Sequence, residues 1–259
     1  MLYGICDLSV IPLRSQASDK SEMTTQLLFG ETVQILNEDM GWYNVICDYD
    51  KYTGYVDKKQ ITILNEKTYK KIIEQPLSVA LDLVQSAFAS NAHIPVLAGS
   101  LFPNFDGMSF KIGKEKYIYN GQVISFESIE KPDRFIEKCA LRYLYAPYLW
   151  GGKSPFGIDC SGFTQMVYRM LGIKIQRDAY QQAVEGTEVA FPELASTGDL
   201  AFFSKEKEKN ITHVGIILDN ERIIHACGRV RIDKFDHFGI FNEELKQYSH
   251  KLKLIRRFF

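Results

Sequence analysis

The sequence predicts an α+β protein in which two short β-rich stretches precede a helical segment and a third β-rich segment. In the first half of the chain, apolar and polar residues alternate over short runs between turn residues, as in half-buried strands. After Lys131-Pro132-Asp133, apolar residues recur at helical spacing and then give way to strand-forming runs. A helical half followed by a β half is typical of an α+β domain.

Length and charge exclude several classes of protein. The 259 residues are enough for two or three small domains with hydrophobic cores. A formal net charge of -1 gives no reason to expect nucleic acid or a membrane as partner, and no obligate protein partner is evident. No stretch approaches the roughly 20 apolar residues of a membrane span. The first residues lack the features of a secretory signal, so we expect a cytoplasmic protein, or a periplasmic or secreted one if a signal was removed.

Three domains are predicted along the chain. Residues 1–63 hold about five short strand candidates and predict a small barrel. Residues 64–126 have the same character less clearly, with turn signals at Asp106-Gly107 and Asn120-Gly121. We predict a second, divergent barrel there, and a linker with one extra hairpin is the alternative. Residues 127–259 form the α+β domain.

A glycine-rich approach delivers Cys160 to the first turn of a predicted helix. Apolar residues recur at the helical period from Phe163 to Leu171, with Asp159 at the N-cap position and Gly172 at the C-terminal end. Unpaired N–H groups and the positive end of the helix dipole favour the thiolate form of a cysteine placed there. The sequence therefore predicts a nucleophile with a lowered pKa, and an ordinary buried cysteine is the alternative.

Two histidines stand where an antiparallel hairpin would bring them together. His213 opens one predicted strand and His225 lies on the next, with Asp219-Asn220-Glu221 as the turn. A three-residue loop makes the two histidines diagonal neighbours on one side, roughly 7–8 Å apart at the backbone. A two-residue loop would put them on opposite faces. In the first register the pair offers a base for the thiol and a group that orients the base.

The cysteines and histidines could also form disulfides, bind zinc or supply a different nucleophile. Five dispersed cysteines without paired spacing argue against a disulfide framework or a structural zinc site. Cys227 is a rival nucleophile but has no helix terminus to lower its pKa. Cys160 and the two histidines are sufficient for three zinc ligands, yet a thiolate with a base and an orienting group is the simpler prediction, without metal or other cofactor. His237 and His250 lie in charged stretches and are expected to be solvated.

Between about residues 130 and 257 the chain contains six ordered motifs: Tyr-Leu-Trp-Gly-Gly, Asp-Cys-Ser-Gly-Phe, Arg-Asp-Ala-Tyr-Gln-Gln, Gly-Asp-Leu-Ala-Phe-Phe, His-Val-Gly-Ile and Ile-Ile-His-Ala. Together they resemble the motifs of the NlpC-type papain-like cell-wall peptidases. The first β-rich stretch resembles a bacterial SH3-like domain, particularly in Ser-Glu-Met-Thr-Thr-Gln-Leu-Leu-Phe-Gly-Glu. The resemblance implies a papain-like catalytic domain preceded by two small SH3-like barrels.

The resemblance also implies roles for the candidate catalytic residues. Cys160 is the nucleophile, His213 the base and His225 the third, polar member. The Tyr148 side chain and the backbone N–H of Cys160 would help to bind the oxyanion, because preorganised donors stabilise charge that appears only in the transition state.

Substrate contacts follow from the similar γ-D-glutamyl-L-diamino acid endopeptidases. In these relatives the first SH3-like domain closes one end of the cleft and restricts it to peptides with a free N-terminal L-alanine. A bound ammonium needs carboxylates. The candidates for that pocket are Glu22, Tyr52 and Asp178, and Asp159 and Ser161 are candidates for contact with the peptide. Barrel surface for the first two and a helix N-cap for Asp178 are the alternatives.

The expected function is hydrolysis of the γ-D-Glu to diamino acid bond in free murein peptides such as L-Ala-γ-D-Glu-meso-diaminopimelate. A secreted hydrolase acting on intact peptidoglycan is one alternative, and a wall-binding module with an inactive catalytic domain is another.

Overall fold

The structure, a computed structural model, describes residues 2–126, 132–204, 210–219 and 221–259. The chain forms two compact units. The first contains the described residues up to 126 together with Trp150–Pro155, and the second contains residues 132–149 together with Phe156–Phe259. The predicted domain boundary at 126 lies at an edge of the described ranges and stays a prediction. No helix within these ranges has both the length and the apolar character needed to cross a membrane.

Residues 2–64 form one antiparallel sheet of seven strands in the order β3-β2-β6-β5-β4-β1-β7. Their bounds are β1 (Leu2–Ile5), β2 (Val10–Arg14), β3 (Met23–Leu28), β4 (Thr32–Asp39), β5 (Trp42–Cys47), β6 (Thr53–Asp57) and β7 (Thr62–Leu64). The alternation predicted for β4 is confirmed, since Val33 and Ile35 are buried in the sheet's core and Gln34 between them is only half-buried.

Residues 65–125 begin with a helix that the sequence analysis did not predict and continue as two small sheets. The elements are α1 (Glu66–Glu74), β8 (Leu77–Ala80), β9 (Val84–Phe88), β10 (His93–Leu97), β11 (Leu101–Pro103), β12 (Ser109–Ile112), β13 (Glu115–Tyr119) and β14 (Val123–Ser125). Strands β10-β9-β13-β12 form one sheet and β11-β8-β14 the other. Asn65 caps α1 by accepting a hydrogen bond from the Thr68 N–H at 2.9 Å.

The two β-rich stretches of the first unit share an aromatic core. Phe29, which follows β3, is fully buried and packs edge-on against Phe110 and Tyr117, with ring centroids 5.9 and 5.3 Å apart. Phe102 belongs to the same cluster and stacks on Phe110 at 4.4 Å. Burial of such large side chains is a major stabilising contribution, so residues 2–64 and 65–125 pack as one body.

The second unit combines helices with a closed β-barrel. Its elements are α2 (Ile136–Leu141), β16 (Gly157–Ile158), α3 (Cys160–Met170), α4 (Ala179–Gln182), β17 (Thr187–Val189), β18 (Leu200–Ser204), β19 (His213–Ile217), β20 (Arg222–Cys227), β21 (Arg229–Phe235), β22 (Gly239–Asn242) and β23 (Gln247–Arg257), while β15 (Lys153–Ser154) belongs to the first unit. Strands β18 to β23 pair in chain order, and the pairing of β23 with β18 closes the ring, with β17 added at β23. The helical half and the β half of the prediction are confirmed, and β17, β21 and β22 are strands that were not predicted.

Helix α3 has the predicted start and end. The Asp159 carboxylate accepts the Gly162 N–H at 2.6 Å, and the helix begins at Cys160. After Leu171, Gly172 has a φ of 71°, and the N–H groups of Gly172 and Ile173 bond back to the carbonyls of Arg169 and Tyr168. This is the hydrogen-bond pattern of a Schellman motif. All eleven residues of the helix are buried, so α3 lies inside the unit rather than on its surface.

Candidate active site

Cys160 occupies the first turn of α3 and is 7% exposed. Burial raises the pKa of its thiol to about 12, and the adjacent Asp159 carboxylate acts in the same direction. The N–H groups of Val214 and Ser161 bond to the sulfur and oppose this shift, as does the positive charge of Arg177. The predicted lowering of the pKa is therefore wrong, because desolvation of a buried thiolate outweighs the helix terminus.

The two predicted histidines meet in the predicted register. Gly215 on β19 lies opposite His225 on β20, which makes His225 the diagonal neighbour of His213. The Nε2 atom of His213 lies 2.8 Å from the Nδ1 atom of His225, and both rings are buried. The alternative register is therefore excluded, although position 220 of the predicted turn lies outside the described residues. Val214, whose N–H reaches the Cys160 sulfur, directly follows His213.

A buried carboxylate behind the histidine pair was not predicted. The Oδ2 atom of Asp233 lies 3.0 Å from the Nε2 atom of His225, and its Oδ1 atom accepts a hydrogen bond from the Arg231 guanidinium at 2.8 Å. Both residues lie on β21, which pairs with β20 so that Arg231 faces His225 and Asp233 faces Ile223. Polar and apolar residues alternate from Arg231 through Ile232 to Asp233 after Gly228, and this pattern was the sequence signal for a further strand that carries Asp233.

A third histidine contacts the pair. The ring of His250, on β23, stacks on His213 with centroids 4.1 Å apart and lies 5.8 Å from His225. The expectation that His250 is solvated is wrong, since strand β23 closes the barrel beside β22 and brings it onto the site. His237 is exposed, as expected.

The histidine pair is held in its neutral form. Burial lowers the pKa of His213 well below its usual value, and the neighbouring His225 and His250 rings add to the effect. Burial also lowers the pKa of His225, although the hydrogen bond from its ring to Asp233 opposes the shift. A neutral imidazole can accept the proton of a thiol when the sulfur attacks.

A buried ion pair fixes the turn that carries the cysteine. The Arg177 guanidinium donates to both carboxylate oxygens of Asp159, NH1 to Oδ1 at 3.0 Å and NH2 to Oδ2 at 2.6 Å. Its NH1 atom also lies 3.0 Å from the Ser161 hydroxyl oxygen. The Ser161 carbonyl accepts hydrogen bonds from the Thr164 hydroxyl and the Gln182 amide, each at 3.0 Å. Asp159 and Ser161 are thus engaged inside the second unit, and Arg177 was not predicted.

Two further candidates of the second unit lie near this turn. Tyr148 is half-buried, its N–H bonds to the carbonyl of Gly228, and it forms a parallel bridge with Ile158. Burial raises the pKa of its hydroxyl, and the nearby Asp159 carboxylate acts in the same direction, so that the hydroxyl stays protonated and can donate. Asp178 is the N-cap of α4, and its N–H bonds to the Gln181 side chain at 3.1 Å.

Glu22 and Tyr52 belong to the first unit. Glu22 is exposed, and its Oε1 atom accepts a hydrogen bond from the Trp150 indole at 2.6 Å. Tyr52 follows β5, is half-buried and packs against the core of the first sheet. Within the described residues, no group of three or more His, Cys, Asp or Glu side chains has the arrangement to hold a metal ion.

Both units of the chain match known proteins. Residues 145–248 match the NlpC/P60 family, and residues 13–61 match the bacterial dipeptidyl-peptidase Sh3 domain. A gamma-D-glutamyl-L-lysine dipeptidyl-peptidase of Bacillus subtilis is 30% identical over 219 residues, which cover 78% of this chain and 71% of the relative. Dipeptidyl-peptidase 6 of Lysinibacillus sphaericus is 29% identical, over 80% of each chain.

A solved structure shows the same fold along the whole chain. The crystal structure of an NlpC/P60 family protein from Bacillus cereus aligns with a TM-score of 0.82 at 21% identity, covering 98% of this chain and 99% of the other. A thiol at a helix N-terminus and a buried histidine pair, found in a chain with these relatives, define a cysteine peptidase. The chain belongs to the NlpC/P60 family.

Proposed function

We propose that the protein hydrolyses the bond between γ-D-Glu and the diamino acid of murein stem peptides that have a free N-terminal L-Ala. The observation that carries this proposal is the length of the match to the gamma-D-glutamyl-L-lysine dipeptidyl-peptidase. The match covers 78% of this chain and therefore takes in residues of both units. A relative that shared only the second unit would support a peptidase without indicating its substrate.

In the proposed acylation step, the thiol proton of Cys160 passes to His213 as the sulfur attacks the γ-carbonyl carbon of D-Glu. The electron pair of the carbonyl moves to oxygen, and the Tyr148 hydroxyl and the Cys160 backbone N–H stabilise that oxyanion. Collapse of the intermediate breaks the C–N bond, and His213 returns its proton to the departing amine of the diamino acid. The product is a thioester between Cys160 and L-Ala-γ-D-Glu.

Deacylation repeats the proton transfers with water. His213 accepts a proton from the attacking water, the C–S bond breaks, and the proton returns to the sulfur of Cys160. The dipeptide L-Ala-γ-D-Glu leaves with a new carboxylate. The lowered pKa of His213 supports this role, because a base must be unprotonated when each attack begins.

The specificity for a free N-terminus is assigned to carboxylates near the substrate's ammonium. In this proposal Glu22, Tyr52 and Asp178 bind the ammonium of L-Ala, and Asp159 and Ser161 contact the peptide. The exposed carboxylate of Glu22, which already accepts one hydrogen bond from Trp150, supports its part in binding a cation. Replacement of Glu22 by Gln should raise KM for the free peptide and leave an N-acetylated peptide as poor a substrate as before.

The proposal also covers the cellular location of the enzyme and the nature of its second domain. Because the substrate is a small soluble peptide, we place the enzyme in cytoplasmic recycling of murein peptides, without an obligate protein partner. The two sheets of residues 77–125 enclose an apolar cluster that includes Val96, Phe102, Phe110 and Tyr119, which supports a second SH3-like barrel.

The decisive experiment compares three forms of the protein on L-Ala-γ-D-Glu-L-Lys and its meso-diaminopimelate counterpart. Wild type and Cys227→Ala should both release the diamino acid, whereas Cys160→Ala should release none. Cys227 is the matched control because it is a second free thiol in the same unit and is exposed. Equal release by wild type and Cys160→Ala would overturn the proposal. Cleavage of intact sacculi, with no loss on N-acetylated peptide, would instead identify a wall hydrolase.

A further inference from the structure

We propose that Asp233 is a positioning residue that determines which ring nitrogens of His225 and His213 carry hydrogen. Its role in turnover depends on the proposed function, whereas the hydrogen positions do not. Three side chains are joined in series by two hydrogen bonds. The Oδ2 of Asp233 contacts the Nε2 of His225, and the Nδ1 of His225 contacts the Nε2 of His213. Each contact in such a series requires one hydrogen and one lone pair, so the state of the first group sets all that follow.

Asp233 is an acceptor at the start of this series. Burial alone would raise the pKa of its carboxyl group, but hydrogen bonds from His225 and Arg231 lower the pKa below its usual value. An ionised carboxylate can only accept, so the hydrogen in the 3.0 Å contact belongs to the Nε2 of His225. Arg231 donates to the other oxygen, Oδ1, and leaves Oδ2 for the imidazole.

The hydrogen positions then follow along the pair. A neutral imidazole carries one hydrogen, so the Nδ1 of His225 presents a lone pair. The 2.8 Å contact to His213 must therefore use a hydrogen on the Nε2 of His213. The Nδ1 of His213 is left with a lone pair, and in the proposed function this lone pair accepts the thiol proton. The opposite tautomer would place a hydrogen on Nδ1 and remove the base.

Burial and strand register both favour a direct hydrogen bond between His225 and Asp233 over a contact through water. His225 is 1% exposed and Asp233 is 8% exposed. The charged and titratable groups that contact these side chains include Arg231, which also reaches the exposed Glu244 at 3.5 Å, and His250, which stacks on His213. The carboxylate is the acceptor that meets His225, because Asp233 is its diagonal neighbour across β20 and β21.

The first test uses the unmodified protein. Nitrogen-15 NMR of histidine-labelled wild type should show hydrogen on Nε2 of both His213 and His225 at neutral pH. Assignment is made by comparison with His213→Gln and His225→Gln. Hydrogen on the Nδ1 of His225 would overturn the proposal, whatever the substrate of the enzyme proves to be.

The second test reverses the donor and acceptor at position 233. In Asp233→Asn, Arg231 holds the amide oxygen and turns the amide NH₂ group toward His225, which favours the opposite tautomer in both rings. We expect kcat on the murein tripeptide to fall by roughly a hundredfold to ten-thousandfold, the range of a lost general base, with KM near that of wild type. The same spectrum should show hydrogen moving to Nδ1.

The matched control is Asp219→Asn, which makes the same change at an exposed carboxylate paired with Arg222 at 2.6 Å. It should leave kcat and the ring spectra unchanged. A folded Asp233→Asn protein with wild-type kcat, or with unchanged hydrogen positions, would refute the role. Absence of peptidase activity in wild type would refute the proposed function alone, since the spectra still report the tautomers.

Discussion

Arg177 donates two hydrogen bonds to the carboxylate of Asp159, at 3.0 and 2.6 Å, across a separation of 18 residues. Both side chains are buried. Asp159 also caps α3, which begins at Cys160. Arg177, which follows the C-terminal end of α3, therefore fixes the turn at its N-terminal end. Bidentate pairs of this kind add geometric specificity as well as energy.

Breaking this ion pair should destabilise the second unit. In Arg177→Met the chain keeps much of the side-chain volume, but the Asp159 charge stays buried without its partner, which typically costs about 3–5 kcal/mol. Denaturant unfolding followed by fluorescence measures the loss. Arg222→Met is the control, because it breaks an exposed pair with Asp219 and should change stability far less. Equal effects of the two substitutions would contradict the structural importance of Arg177.

A second buried pair holds the segment Trp150–Pro155 within the first unit. The Nζ atom of Lys153 lies 3.2 Å from the Oε1 of Glu31, and each side chain is 2% exposed. Glu31→Gln would leave the ammonium buried beside a neutral amide, so we expect a loss of about 3–5 kcal/mol in the free energy of unfolding. Glu38→Gln, which removes the exposed partner of Lys58, is the comparison. A small effect of Glu31→Gln would show that the pair is dispensable.

A side chain added at Gly151 should destabilise the first unit. Its φ is +75°, and an added Cβ would lie 2.3 Å from the carbonyl oxygen of Met23. Gly41 has a φ of +86° and open space around the same position. Both alanine variants incur the left-handed backbone cost of roughly 1–2 kcal/mol. Gly151→Ala should add roughly 1–3 kcal/mol for the clash, measured as a lower denaturation midpoint. Equal midpoints would mean that the segment shifts freely.

Stability should decline in mildly acidic solution because of the histidine pair. The pKa values of His213 and His225 are lowered in the folded protein, so the unfolded chain binds more protons as the pH falls through the ordinary histidine range. Unfolding is then favoured by acid, and the denaturation midpoint should fall between about pH 7 and about pH 5. His213→Gln/His225→Gln should flatten this dependence, while His237→Gln at an exposed site should not. If the denaturation midpoint of the double variant fell with pH as steeply as that of wild type, groups other than these two histidines would be responsible.

The parts of the site that follow from local pattern were predicted from sequence. The register of His213 and His225 depends on a single short loop, and the cap of α3 depends on one residue before the helix. Arg177, Asp233 and His250 were missed because each reaches the site through a tertiary contact, across a loop, a third strand or the closure of the barrel. The pKa of Cys160 was mispredicted for the same reason, since burial of the whole helix is not visible in its apolar period.

The assignment of Trp150–Pro155 to the first unit means that the polypeptide passes from one unit to the other three times rather than once. No single proteolytic cut or truncation can therefore separate two intact units. A fragment beginning at residue 132 would carry Lys153 without Glu31 and Trp150 without Glu22. Joining the second unit to a different partner domain would require redesign of this six-residue insertion along with the junction itself.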